Sequence, residues 1–142
     1  MSADVVVDFY FDFISPYAYL GWQHAKALRS EGVVVRLRPV VFAGLLRAHG
    51  QLGPAEIPAK RRFVIRDCMR LASRLGVSFR FPATHPFRSI DALRLCLPEA
   101  GLSDVCGDEQ EKVVDLLFNA TWRHGLDVSN AAVLSRVLSA AG

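Results

Sequence analysis

Asp8-Phe9-Tyr10-Phe11-Asp12-Phe13-Ile14-Ser15-Pro16-Tyr17 is the stretch whose reading decides the fold. Val5, Val6 and Val7 precede it, and with Phe9, Tyr10 and Phe11 they make a β-branched and aromatic run. Such a run predicts a strand over residues 5–11, buried on both faces. Ser15-Pro16 then predicts a helix start, with Ser15 as N-cap and Pro16 at the first helical position. That helix runs to Arg29 or Ser30, carrying Ala18, Trp22, Ala25 and Leu28 along one stripe, and Gly32 stands just past its end. Val33 to Val40 predicts a second strand, with Arg36 and Arg38 on alternate positions. Strand, helix and strand form a βαβ unit with a right-handed crossover.

Downstream the pattern turns helical. Phe42 to His49 predicts a short helix, and Gly50-Gln51-Leu52-Gly53-Pro54 a loop. From Ala59 to Leu75 the apolar set Val64, Cys68, Leu71 and Leu75 recurs at helical spacing, with Gly76 as terminator. Phe79-Arg80-Phe81-Pro82 is expected to be extended, and Ser89 to cap a helix ending near Pro98. Asp108-Glu109-Gln110-Glu111 resembles a capping box opening a helix through Arg123, with Val113, Leu117 and Ala120 inward. A last helix spans Asn130 to Ala140. The division expected is residues 1–41 as a βαβ part and residues 42–142 as a helical part. Two parallel strands alone do not make a stable sheet, so either the protein oligomerises or a later part completes it.

The chain has 142 residues, of which 51% are apolar and 22% charged, the size and composition of one domain with a real core. No run approaches the roughly 20 apolar residues of a membrane span, and no secretory leader is legible, so the cytoplasm is expected. Cys68, Cys96 and Cys106 form no C-x-x-C pair, which fits a reducing compartment and free thiols. His24, His49, His85 and His124 are scattered without ligand spacing, so no metal site is expected. The net charge of +3 is unevenly spread. Residues 59–94 carry nine Lys/Arg against Asp67 and Asp91, while residues 95–142 carry three against seven acids. The basic block reads as a solvated helix face or as a field that draws in a small anion. It lacks the interleaved aromatics or motif of a nucleic-acid binder.

Ser15 is the residue best placed for chemistry. It puts a hydroxyl where free backbone N–H groups and the helix dipole favour negative charge. A sulfur anion there would be stabilised, as helix N-termini do for thiolates. Were the chain a thioredoxin relative, Ser15-Pro16-Tyr17-Ala18 would occupy the place of its C-x-x-C pair, so it would cycle no disulfide of its own there and a thiolate would come from a ligand. The plain alternative is a simple N-cap worth about 1 kcal/mol.

The run Phe9-Tyr10-Phe11-Asp12-Phe13-Ile14-Ser15-Pro16-Tyr17-Ala18-Tyr19-Leu20 closely resembles the N-terminal motif of 2-hydroxychromene-2-carboxylate isomerases. These belong with the kappa-class glutathione transferases in the DsbA-like branch of the thioredoxin superfamily. The resemblance continues through Arg38-Pro39-Val40, the 50–54 loop, Pro58 to Arg62, Arg66-Asp67, Phe81-Pro82, Ser89 to Arg94 and Phe118 to Trp122. It implies an α/β, thioredoxin-like fold with a large all-helical insertion. The chain resembles the first two-thirds of a member, so its sheet is expected to be incomplete because it ends before the closing strands.

The same resemblance implies glutathione as cofactor. Ser15 is implied at its sulfur, Lys60 near its carboxylates, and Gln51, commonly asparagine in the family, on its peptide backbone. Arg47 and His85 are implied near an acidic aromatic substrate. The implied activity is glutathione-dependent cis–trans isomerisation of an aromatic catabolic intermediate, by reversible thiolate addition and rotation about the resulting single bond. A kappa-type glutathione transferase and a truncated, non-catalytic member are the alternatives. A small aromatic carboxylate and a second copy of the chain are the expected partners.

Overall fold

In the computed structural model, residues 5–97 and 107–140 are described. Strand β1 (Val6–Phe11), helix α1 (Pro16–Ser30) and strand β2 (Val34–Pro39) form the βαβ unit. The strands pair in parallel, from Val6 opposite Val34 to Phe11 opposite Pro39. Then follow α2 (Phe42–Ala48), a 3-10 turn at Pro54–Glu56, α3 (Pro58–Leu75), α4 (Ile90–Arg94), α5 (Asp108–Phe118), a π-helical stretch at Asn119–Arg123, and α6 (Ala131–Ser139).

Ser15 caps α1 as its residue type dictates. Its backbone is extended (φ −93°, ψ 116°), and its Oγ accepts from the Ala18 N–H at 3.2 Å. The helix buries Tyr19, Leu20, Trp22 and Ala25. Leu28, expected on the inward stripe, is largely exposed. Trp22 Nε1 donates to Asp115 Oδ1 at 2.8 Å, and Lys26 Nζ reaches the same oxygen at 2.7 Å. With the Arg29–Glu111 pair, also at 2.7 Å, these bonds fasten α1 to α5.

The sequence reading of β1 as a strand buried on both faces is corrected here. Phe11, Val35 and Leu37 point into the core, but Val6 and Tyr10 are 44% and 65% exposed. The helices cover one face of the pair, and among the described residues nothing covers the other. Two helix ends also differ from expectation. The residue before α5 is Gly107, without a side-chain cap, and the helix widens into the π-helical stretch after Phe118 instead of running on as an α-helix. In α4, Ser89 makes no side-chain cap bond and the helix closes at Arg94. Pro98 and Cys106 lie outside the described residues. Elsewhere the punctuation works as read: Gly76 ends α3 in the left-handed region (φ 65°), and Asn130 caps α6 by accepting from Ala132 and Val133.

The core draws on both parts of the chain. Phe11 and Phe13 pack on Phe118, with ring centroids 5.6 and 4.8 Å away, and Val114, Leu117 and Trp122 are fully buried in the same core. Each such side chain contributes about 1.5–3 kcal/mol by leaving water.

Candidate active-site cleft

The turn between β1 and α1 is built by one buried carboxylate. Asp12, 3% exposed, accepts from Ile14 N on Oδ1 (3.1 Å) and from Phe42 N, the first residue of α2, on Oδ2 (2.8 Å). Its own carbonyl accepts from Ser15 N at 3.1 Å. A carboxylate at two chain turns satisfies donors that burial would otherwise leave unpaired. From the other side, Trp122 Nε1 donates to Phe13 O at 2.8 Å, and His85 Nε2 meets Ile14 O at 2.9 Å. A carbonyl only accepts, so this bond places the imidazole proton on Nε2. Burial holds the His85 pKa below its ordinary 6.5; the bond to Ile14 opposes that shift, and the Arg61 charge adds to it.

Ser15 thereby opens onto a cleft of about 440 Å³, walled largely by apolar side chains such as Tyr17, Leu46, Val64, Phe81 and Phe87. Arg61 and Arg88 also line it. An Arg61 guanidinium nitrogen lies 3.4 Å from His85 O, and Glu56 is held by the Gly53 N–H at 2.6 Å. Accepting from Ala18 leaves the Ser15 hydroxyl its own proton to donate. Pro16 has no N–H, and Tyr19 N donates to Ser15 O, so the Tyr17 N–H is the remaining donor of the first turn.

Of the residues singled out from sequence, Ser15 and His85 come together at this cleft. Arg47 lies in the last turn of α2, Gln51 in the following loop and Lys60 in the first turn of α3; all three are exposed and none lines the cleft. Sequence reasoning passed over Asp12, Arg61 and Arg88. Arg61 neighbours Lys60 in a uniformly basic run, where nothing but the helix's rotation decides which cation faces inward. Cys68 and Cys96 are fully buried and do not line the cleft; burial pushes both thiols up to about 12, with the Asp67 charge adding to the shift at Cys68 and its bond with Tyr17 opposing it. Among the described residues no cluster of His, Cys, Asp and Glu could hold a metal ion, and no helix is long and apolar enough to cross a membrane.

A parallel βαβ unit whose helix begins at the cleft, with further helices packed beside that turn, is the arrangement of a DsbA-like thioredoxin domain. The family model of that description matches residues 6–142, and the chain belongs to this family. It is similar to the 2-hydroxychromene-2-carboxylate isomerases of Pseudomonas putida (29% identity over 126 residues, 86% of this chain and 58% of the relative) and Sphingobium xenophagum (32% over 124 residues, 85% and 60%). Glutathione S-transferase kappa 2 of Caenorhabditis elegans is 37% identical over 79 residues, 54% of this chain and 35% of the relative. A solved 2-hydroxychromene-2-carboxylate isomerase superposes with a TM-score of 0.83 at 26% identity, covering 97% of this chain and 66% of the other. The chain thus spans a little under two thirds of the isomerases it matches.

Proposed function

We propose that this cleft serves a glutathione-dependent cis–trans isomerase of the 2-hydroxychromene-2-carboxylate type, acting on an aromatic catabolic intermediate. The observation that carries the reading is the Ser15 hydroxyl, anchored by Ala18 and facing an apolar cleft that arginines also line. The residues present fit a thiol ligand. Ser15 donates from its hydroxyl and Tyr17 from its backbone, both at the positive end of α1, so a sulfur anion meets two donors and a favourable dipole. Bound there, glutathione supplies the nucleophile of a reversible conjugate addition that frees rotation about the former double bond. Arg61 and Arg88 offer cations to carboxylates of an acidic aromatic compound, and the apolar walls exclude water from its ring. Lys60, Gln51 and Arg47, exposed around this region, are available to the outer parts of a tripeptide. The reading includes a homodimer in the cytoplasm; exposed Val6, Tyr10 and Leu45 are apolar surface that a second copy can cover.

The test is twofold. Calorimetric titration of this chain with glutathione is expected to give saturable heat. Chromatography of 2-hydroxychromene-2-carboxylate incubated with both is expected to show a trans ring-opened product. Ser15→Ala removes a charge-assisted bond of about 1.5–3 kcal/mol, so the bound thiol's pKa rises by about one to two units and turnover falls at least tenfold. Unchanged thiol acidity and turnover in that variant sink the reading. The kappa transferase relatives support a second reading, conjugation of glutathione to an electrophile by the same thiolate. A stable thioether product in place of an isomer would favour it.

A further inference from the structure

Tyr17 and Asp67 are fifty residues apart in sequence, yet the Tyr17 hydroxyl donates to Asp67 Oδ2 at 2.7 Å, joining the first turn of α1 to the middle of α3. The other Asp67 oxygen accepts from Arg70 at 3.0 Å, so the carboxylate is held from both sides. Tyr17 follows Ser15 by two residues and lines the cleft while 39% exposed. A tyrosine at such a rim has two rotatable bonds and open solvent beside it. Its root is fixed in a helix start and its tip is tied to α3, which restrains the ring's rotation. The phenol also keeps its proton: partial burial first, and then the bond to Asp67, raise its pKa well above 10. Tyr17 is therefore a wall and a hydrogen-bond group, not an acid.

We propose that Asp67 is a positioning residue for the cleft, holding the Tyr17 ring as the fixed surface against which a planar conjugated ligand packs. The inference rests on the reading of the cleft as a site for an aromatic ligand, and it adds a residue that touches no reacting atom. A purely structural bond at this half-exposed place would lower thermal stability and leave ligand affinity alone.

Fluorescence titration of the whole chain with coumarin-3-carboxylate, a planar fluorescent acid that cannot isomerise, separates the two. Wild type is expected to bind saturably. Asp67→Ala and Tyr17→Phe each remove the bond that ties the ring to α3, so each weakens probe binding about fivefold. The double variant is less than additive, because both single changes remove the shared Tyr17–Asp67 bond. Asp67→Asn keeps an accepting oxygen and stays within about twofold of wild type. An additive double variant, an Asp67→Asn as weak as Asp67→Ala, an unchanged Kd with a lowered Tm, or absence of saturable binding in wild type would each overturn the inference. Should Asp67→Ala fail to fold, Tyr17→Phe and Asp67→Asn still decide it. Wild type that binds the probe yet leaves 2-hydroxychromene-2-carboxylate unchanged removes the isomerase reading while the Asp67 result stands.

Discussion

Strands β1 and β2 pair at every position from Val6–Val34 to Phe11–Pro39, yet Val6, Tyr10 and Val34 keep 44%, 65% and 41% of their surface in contact with solvent. Residues 79–87 form no helix or strand, but three of their rings surround Trp122: Phe79 at 5.8 Å, Phe81 at 5.4 Å and His85 at 5.5 Å between centroids. The regular pair is joined by one row of backbone bonds, and on its outer face Val6, Tyr10 and Val34 stay exposed beside the Arg38–Asp8 ion pair at 3.0 Å. The irregular segment is held by side chains, and it is the one that walls the cleft. Shelter here follows ring packing, not backbone regularity.

The largest way to break that contrast is Trp122→Ala. It empties a fully buried site, removes three ring contacts and leaves Phe13 O without its indole donor. A loss of about 3–5 kcal/mol is expected, read as a lower urea midpoint and as loss of near-ultraviolet dichroism. A smaller effect isolates His85. Its folded-state pKa is depressed below 6.5, so in the window just under that value the unfolded chain binds a proton the folded chain refuses. Stability is therefore fully present above 6.5 and is lost as pH falls from there towards the folded value. His85→Gln is expected to flatten that part of the Tm–pH curve; an equally steep curve would break the assignment. Smallest of all, Tyr10→Thr on the open strand face should change stability by no more than about 0.5 kcal/mol by chemical denaturation.

Much of the βαβ unit is legible in the residues, because its signals are local. Ser15-Pro16 opens α1, Gly32 follows it with φ 91°, and β-branched runs flank both. The burial of β1 was not legible, since a run of valines and aromatics reads the same whether one face or two are covered. The widening after Phe118 was also invisible, because residues 119–123 keep a helical composition while the His124 N–H reaches back five residues to Asn119 O. At the cleft, Ser15 stands out through helix-end chemistry and His85 through resemblance. Asp12 needed the fold: its second partner, Phe42 N, lies thirty residues along the chain. Arg61 and Arg88 needed it too, since only helix rotation and the 79–88 path separate them from their basic neighbours.

The Asp12 carboxylate joins both lips of the cleft, the Ser15 turn and the first residue of α2, in a single bracket. Movement of one lip against the other breaks a bond to the same buried carboxylate, so the two are tied together before any visitor arrives. An incoming molecule is spared the entropy of ordering that doorway, and its binding energy remains for the chemistry inside.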